Sequence, residues 1–287
     1  TSLRSALKSA TALAAFSLSF PLASWAEEPL PVVATFSILG DMVERIGGEH
    51  IALTTLVGPD GDAHVYQPTP KVARSVAEAD VLFLNGLEFE GWLERLAEAA
   101  SFGGAMVVAT KGVVPIAFDD HDDHDDHDEH DDHDDHAEHD HGAFDPHAWQ
   151  SLENAVIYAN NIAAGLAQAD PENAGDYYAN RAAFITEVET LRADIGAMMK
   201  SLPADKRTVV TPHDAFGYFA ATYDLTFVAP QGMSTDSEVS AADVAALITQ
   251  IREESISAVF IESITDNRMM QQIANETGAT IGGTLYS

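Results

Sequence analysis

The sequence predicts an α/β protein of two parallel-sheet lobes joined by one long backbone helix. Three observations carry the architecture. Short β-branched runs alternate with amphipathic helical stretches from residue 32 to about 168. Residues 172–202 then contain no proline, and Tyr177, Phe184, Val188, Leu191, Ile195 and Met199 recur at helical spacing. The alternation of strand and helix resumes from 208 to 285.

Taken in order, residues 1–26 have the pattern of a secretory signal. Arg4 and Lys8 lead, an apolar stretch runs from Ala10 to Ala23, and Ser24-Trp25-Ala26 places small residues where a signal peptidase cuts. The apolar run is too short to span a bilayer, so a cleaved signal and a periplasmic mature protein are expected. Strands are expected at 32–36, 51–57, 81–85 and 105–110, with helices at 39–46, from Pro70 to Ala79, at 89–100 and at 149–168. These make an N-terminal lobe over 27–171. The linking helix takes 172–202. The C-terminal lobe, 203–287, has expected strands at 208–211, 225–229, 258–262 and 280–285, and helices at 215–223, 241–254 and 268–277.

Charge and cysteine count exclude whole classes. The formal net charge is −32. Fourteen of the acids lie in 119–141, which leaves −18 elsewhere. Such a surface repels nucleic acid and anionic membranes, so neither is an expected partner. With no cysteine, disulfides and thiolate metal sites are impossible, and a transition-metal site must use imidazole, carboxylate and water.

Histidine placement points to the chemistry. Eight of the twelve histidines fall within 21 residues: His121, His124, His127, His130, His133, His136, His139 and His141, with Asp or Glu between them. A solvated acidic linker needs no imidazole, so the tract is expected to capture metal as an accessory. It contains no apolar residue except Ala137 and is expected to be disordered, so its ligands are not preorganised for tight binding. The selective site is therefore expected elsewhere. In parallel α/β sheets, ligands bind beyond the carboxyl ends of strands. His64, His147 and His213 each follow such an end, whereas His50 starts a strand at the opposite edge and is given no role.

At this point a family resemblance becomes specific. The chain resembles the metal-binding periplasmic components of ATP-binding-cassette importers for zinc or manganese. The matching segments include Gly61-Asp62-Ala63-His64-Val65-Tyr66-Gln67-Pro68-Thr69-Pro70, Asn85-Gly86-Leu87, Asp145-Pro146-His147-Ala148-Trp149, Thr211-Pro212-His213-Asp214-Ala215-Phe216-Gly217-Tyr218, Gln231-Gly232-Met233-Ser234 and Phe260-Ile261-Glu262. They span nearly everything from Val32 onward. The resemblance implies two lobes facing across a cleft and one metal held by residues from four strand-end loops. It implies His64, His147 and His213 as ligands. A fourth ligand, an Asp, is expected just beyond Leu285-Tyr286-Ser287, and with it a C-terminal truncation that leaves the second lobe incomplete.

Manganese importers of this family place a carboxylate where His213 stands, and a His-rich tract is typical of the zinc members. The resemblance thus favours Zn²⁺, as transported cargo. Glu262 is a candidate to orient a ligating imidazole, with Asp62 and Asp214 as weaker ones. The function this implies is a non-enzymatic, monomeric zinc receptor that delivers its ion to a membrane permease. Three alternatives stand beside it: a manganese-specific relative, a zinc hydrolase with three histidines and an open position, and a His-rich buffer or adhesin. No HExxH pair supports the hydrolase.

Overall fold

A computed structural model describes residues 28–117, 144–236 and 239–287. The expected signal segment and the His/Asp tract lie outside the described residues. Four strands, β1 (Leu30–Phe36), β2 (Ile51–Val57), β3 (Val81–Leu84) and β4 (Ala105–Val108), form a parallel sheet in the order β2-β1-β3-β4. A second parallel sheet holds β5 (Thr208–Val210), β6 (Thr226–Val228), β7 (Ala258–Glu262) and β8 (Thr280–Leu285) in the order β6-β5-β7-β8. The two orders are the same pattern. In each, the chain leaves the first strand of the sheet for one side and later crosses to the other. That reversal opens a crevice at the carboxyl edge of the strands.

Sequence explains the layers. In β1, residues Val32, Val33, Ala34 and Phe36 are all buried, so the strand is covered on both faces and reads as a continuous apolar run. Helices α1 (Ser37–Gly47), α2 (Pro70–Ala77), α3 (Leu93–Ala100) and α4 (Leu152–Ala169) supply the covering. Thr69 accepts a hydrogen bond from the amide of Val72, and Pro70 occupies the first helical position, so α2 starts where a cap and a preset φ coincide. The expected helix at 89–100 begins later, at Leu93. Leu87 and Glu88 have positive φ, and Glu90 turns its carboxylate inward, so the chain completes a left-handed corner before it can coil. The helix expected from Trp149 begins at Leu152, after a 3₁₀ turn over Ala148–Gln150.

The long helix α5 (Ala174–Ser201) agrees with its sequence pattern. Tyr177, Phe184 and Val188 are buried against the first lobe, while Leu191 and Met198 are exposed. Arg45 pairs with Glu187, and the side-chain amide of Asn180 donates to the carbonyl of Ile46 at 3.1 Å, which fixes α5 on α1. At its far end, the guanidinium of Arg207 donates to the carbonyls of Met199, Leu202, Tyr223 and Asp224. It thus satisfies orphan carbonyls at the end of α5 and at the end of α6 (Gly217–Tyr223) together. Helices α7 (Ala241–Glu253) and α8 (Arg268–Thr277) belong to the second lobe. No helix among the described residues is long and apolar enough to cross a membrane.

Leu39 on α1 is fully buried in the larger core. Leu39→Ala should lower the unfolding free energy by about 2–5 kcal/mol, through lost transfer energy and the cavity left behind. Urea denaturation should show the midpoint falling with an unchanged slope.

Candidate metal site

Each site histidine is delivered by a loop at a strand end and then locked by its neighbours. His64 lies in the loop after β2. Its amide donates to Oδ1 of Asp62 at 2.9 Å, and Trp92 Nε1 donates to the carbonyl of the preceding Ala63 at 2.7 Å. His147 follows β4 through the segment 118–143, whose flanks meet in an antiparallel bridge between Ala117 and Phe144. His213 follows β5 in the second lobe and bridges to Gln231.

The three rings converge. His147 and His213 are fully buried and His64 is partly so. One ligand atom from each can be chosen such that all lie within 4.8 Å of one another. Nε2 of His64 and Nε2 of His147 stand 3.1 Å apart. Two nitrogens on one tetrahedral Zn²⁺, each about 2.0–2.1 Å from the ion, would be separated by about 3.3 Å. Nε2 of His213 is buried with no hydrogen-bond partner among the described residues. A buried, unpaired acceptor beside two facing ring nitrogens fits a cation and little else.

Behind the rings stand carboxylates. Oδ1 of Asp145 accepts from both the amide and the Nδ1 of His147, each at 2.9 Å. An ionised carboxylate can only accept, so it places the ring proton on Nδ1 and leaves the Nε2 lone pair facing the cluster. Glu262, the last residue of β7, is fully buried and brings Oε2 to 2.5 Å from Nδ1 of His213, while Oε1 accepts from the His213 amide at 3.3 Å. The ring contact is a close approach without the alignment of a hydrogen bond. Asp62 reaches the amide of His64, not its ring, and also accepts from Thr235 Oγ1 of the second lobe at 2.5 Å. Asp214, its carboxyl pushed up by burial and by Asp145, makes no side-chain hydrogen bond among those described. His50 is remote, held by Asp176 at 2.9 Å and edge-on to Tyr177.

The sequence reading missed Asp145, although it stands two residues before His147 in a quoted motif. It also missed what lies beneath. Glu90 is buried and accepts from Thr35 Oγ1 at 2.6 Å and from the amides of Asn85 and Gly86. Asn85 in turn accepts from the Tyr158 hydroxyl and donates its side-chain amide to the carbonyl of Pro146 at 2.8 Å. The peptide plane entering His147 is therefore fixed from below. The usable signal for Glu90 was a carboxylate set beside Phe89 and Trp92 just past the end of a strand.

Burial sets the protonation. His64 is pushed down to about 3, first by desolvation and then by the two facing imidazoles. His147 is likewise held well below the usual imidazole range by burial and by His213. Asp145 is raised to about 6 by burial, against the hydrogen bond from the His147 amide, so it is ionised at neutral pH.

Two parallel α/β lobes, a long connecting helix and three buried imidazoles between the lobes define a two-lobed metal-binding receptor. The family model described as "Zinc-uptake complex component A periplasmic" matches residues 32–287, and the chain belongs to that family. It is 31% identical to the iron-binding protein YfeA of Yersinia pestis, over 89% of this chain and 76% of that one. It is 29% identical to the manganese-binding lipoprotein MntA of Halalkalibacterium halodurans, over 91% and 80%. Among solved structures, the periplasmic zinc binding protein TroA of Treponema pallidum matches with a TM-score of 0.78 at 25% identity, covering 90% of this chain and 89% of that one. The named cargoes of these proteins are iron, manganese and zinc, so the similarity gives a divalent metal without choosing among them.

Protons compete for an imidazole in water near its ordinary value of about 6.5. The lowered values of His64 and His147 move that competition downward, because their neutral, metal-binding forms persist below it. In the metal-free protein at pH 5, NMR should show both rings neutral. A titration of either near the ordinary value would refute the assignment.

Proposed function

We propose that this chain is a zinc receptor of the periplasm that hands Zn²⁺ to the membrane permease of an ATP-binding-cassette importer, without catalysing a reaction. The observation that carries the choice of metal is the make-up of the cluster among the described residues: three imidazoles, His64, His147 and His213. Zn²⁺ suits a nitrogen-rich tetrahedral set, whereas Mn²⁺ prefers oxygen and higher coordination. His64, His147 and His213 are the ligands on this reading. Glu262 orients His213, Asp62 holds the loop of His64, and Asp214 adds negative potential beside His213.

The lobes are residues 27–171 and 203–287, joined by 172–202, and the protein acts as a monomer after cleavage of residues 1–26. Histidines 121–141 raise the local zinc concentration and pass ions to the cleft by exchange. The rival reading, manganese as cargo, draws on the printed cargoes of relatives such as the lipoprotein MntA.

Because zinc outcompetes manganese at most nitrogen and oxygen sites, the deciding measurement is uptake of each ion into cells that depend on this chain. Loss of the chain should abolish zinc uptake and leave manganese uptake intact, and loss of manganese uptake alone would refute the proposal. Deleting 119–141 should leave one tightly bound zinc and abolish only weaker equivalents. Loss of the tight equivalent would make the tract a primary ligand, or the protein a simple buffer. His213→Asp should narrow the preference for zinc over manganese by replacing a nitrogen with oxygen.

A further inference from the structure

His147 is oriented from the first lobe, but the group that orients it is seated by the second. Helix α6 begins four residues after His213. Its first residue, Gly217, lies so close to Asp145 that a Cβ there would stand 2.6 Å from Asp145 Oδ2. The next residue, Tyr218, is buried in the core of the first lobe although it belongs to the second. Its hydroxyl donates to the Asp145 carbonyl at 3.0 Å and accepts from the Ile116 amide at 3.2 Å. The Asp145 amide donates to the Ile116 carbonyl at 2.9 Å, so the phenol closes a three-residue knot.

Asp145 is thus gripped from the second lobe at two points. The missing side chain at Gly217 makes room for its carboxylate, and the Tyr218 hydroxyl holds its backbone. Its other carboxylate oxygen holds the amide and ring of His147. The same helix follows directly on the loop of His213, so one element sets the spacing of ligands from opposite lobes.

Resting on the metal-receptor reading, we infer that Gly217 and Tyr218 are positioning residues for the metal site, acting on His147 through Asp145 across the lobe boundary. His147 takes its ligating orientation only when α6 is seated on the first lobe. Neither residue touches the metal, and both act by placing the carboxylate that places the ring.

The test uses the mature full-length chain loaded with Co²⁺ as a spectroscopic probe and with Zn²⁺ for release into a chelator. Tyr218→Phe keeps the ring and its packing but removes both hydrogen bonds. Gly217→Ala keeps the hydroxyl but presses on the carboxylate. Tyr177→Phe is the control, since it removes a buried phenol hydroxyl that donates to Asp170 at 2.6 Å, outside the site.

Each site variant should alter the cobalt ligand-field bands and weaken zinc by about tenfold or more, the usual effect of losing a partner behind a ligating His. Tyr177→Phe should lower the melting temperature without either change. If Tyr218→Phe and Gly217→Ala leave spectrum and release rate as in the unsubstituted chain, or change only the melting temperature, the inference is overturned. Should Tyr218→Phe fail to fold, Gly217→Ala alone decides by the same spectrum. Failure of the unsubstituted chain to bind zinc or cobalt would instead overturn the receptor reading.

Discussion

Keeping imidazole buried and unprotonated is the constraint on which the rest of this molecule depends. A ring out of water loses its proton readily, as the depressed values of His64 and His147 show. It then needs a partner for each nitrogen, or it costs free energy. Asp145 answers for one nitrogen of His147 and Glu262 stands against one of His213, which leaves the others turned inward on one another. The carboxylates are buried too, and they are supported by amides: that of His147 for Asp145 and that of His213 for Glu262. Strand-end loops, lobe contacts and the 3₁₀ turn after His147 all meet this chain of requirements.

The two lobes meet it unequally. The first has a continuous core that reaches α1, α4 and α5 and takes in Tyr218 from the second. The second has a much smaller buried cluster around Val210, Ile251, Val259, Met270 and Ile273. Two of the three histidines stand on the better-packed lobe, above the Glu90–Asn85 network, where a peptide plane is held by buried hydrogen bonds. The third arrives from the thinner lobe and depends on contacts across the boundary, among them Asp62 to Thr235 and Tyr218 to Asp145. The second lobe is the part with the lower expected cost of local opening, since it buries less apolar surface.

Much of this was legible in the residues. Short β-branched runs alternating with helical stretches marked the eight strands, and β7, β8 and α8 have the bounds that the pattern implied. The three histidines were legible because strand-end position is a topological property that element order reveals. Partners of their rings were harder to see. Glu262 was readable as the last residue of a strand, but Asp62 and Asp214 lie in loops, and a place in a loop beside a histidine does not say which way a carboxylate points. Asp145 was hidden by its ordinary spacing, because a residue two positions back reaches a ring only when the chain folds over, as Pro146 and the bond from Asn85 make it do. Glu90 was marked only by its aromatic neighbours, and Tyr218 could not be found at all from local pattern. The role of Tyr218 exists only through a contact 73 residues distant in sequence.

The bridge between Ala117 and Phe144 has a consequence for how such chains can diverge. Together with the bond from Asp145 to Ile116, it staples the two flanks of an inserted segment at its base. Only Asp145 and Pro146 separate that staple from His147 in sequence, and Tyr218 and Asn85 hold their carbonyls. Insertions and deletions beyond the staple change closure entropy only logarithmically with length. A change in the length of this segment therefore carries a small closure cost, and the staple stands between any such change and His147.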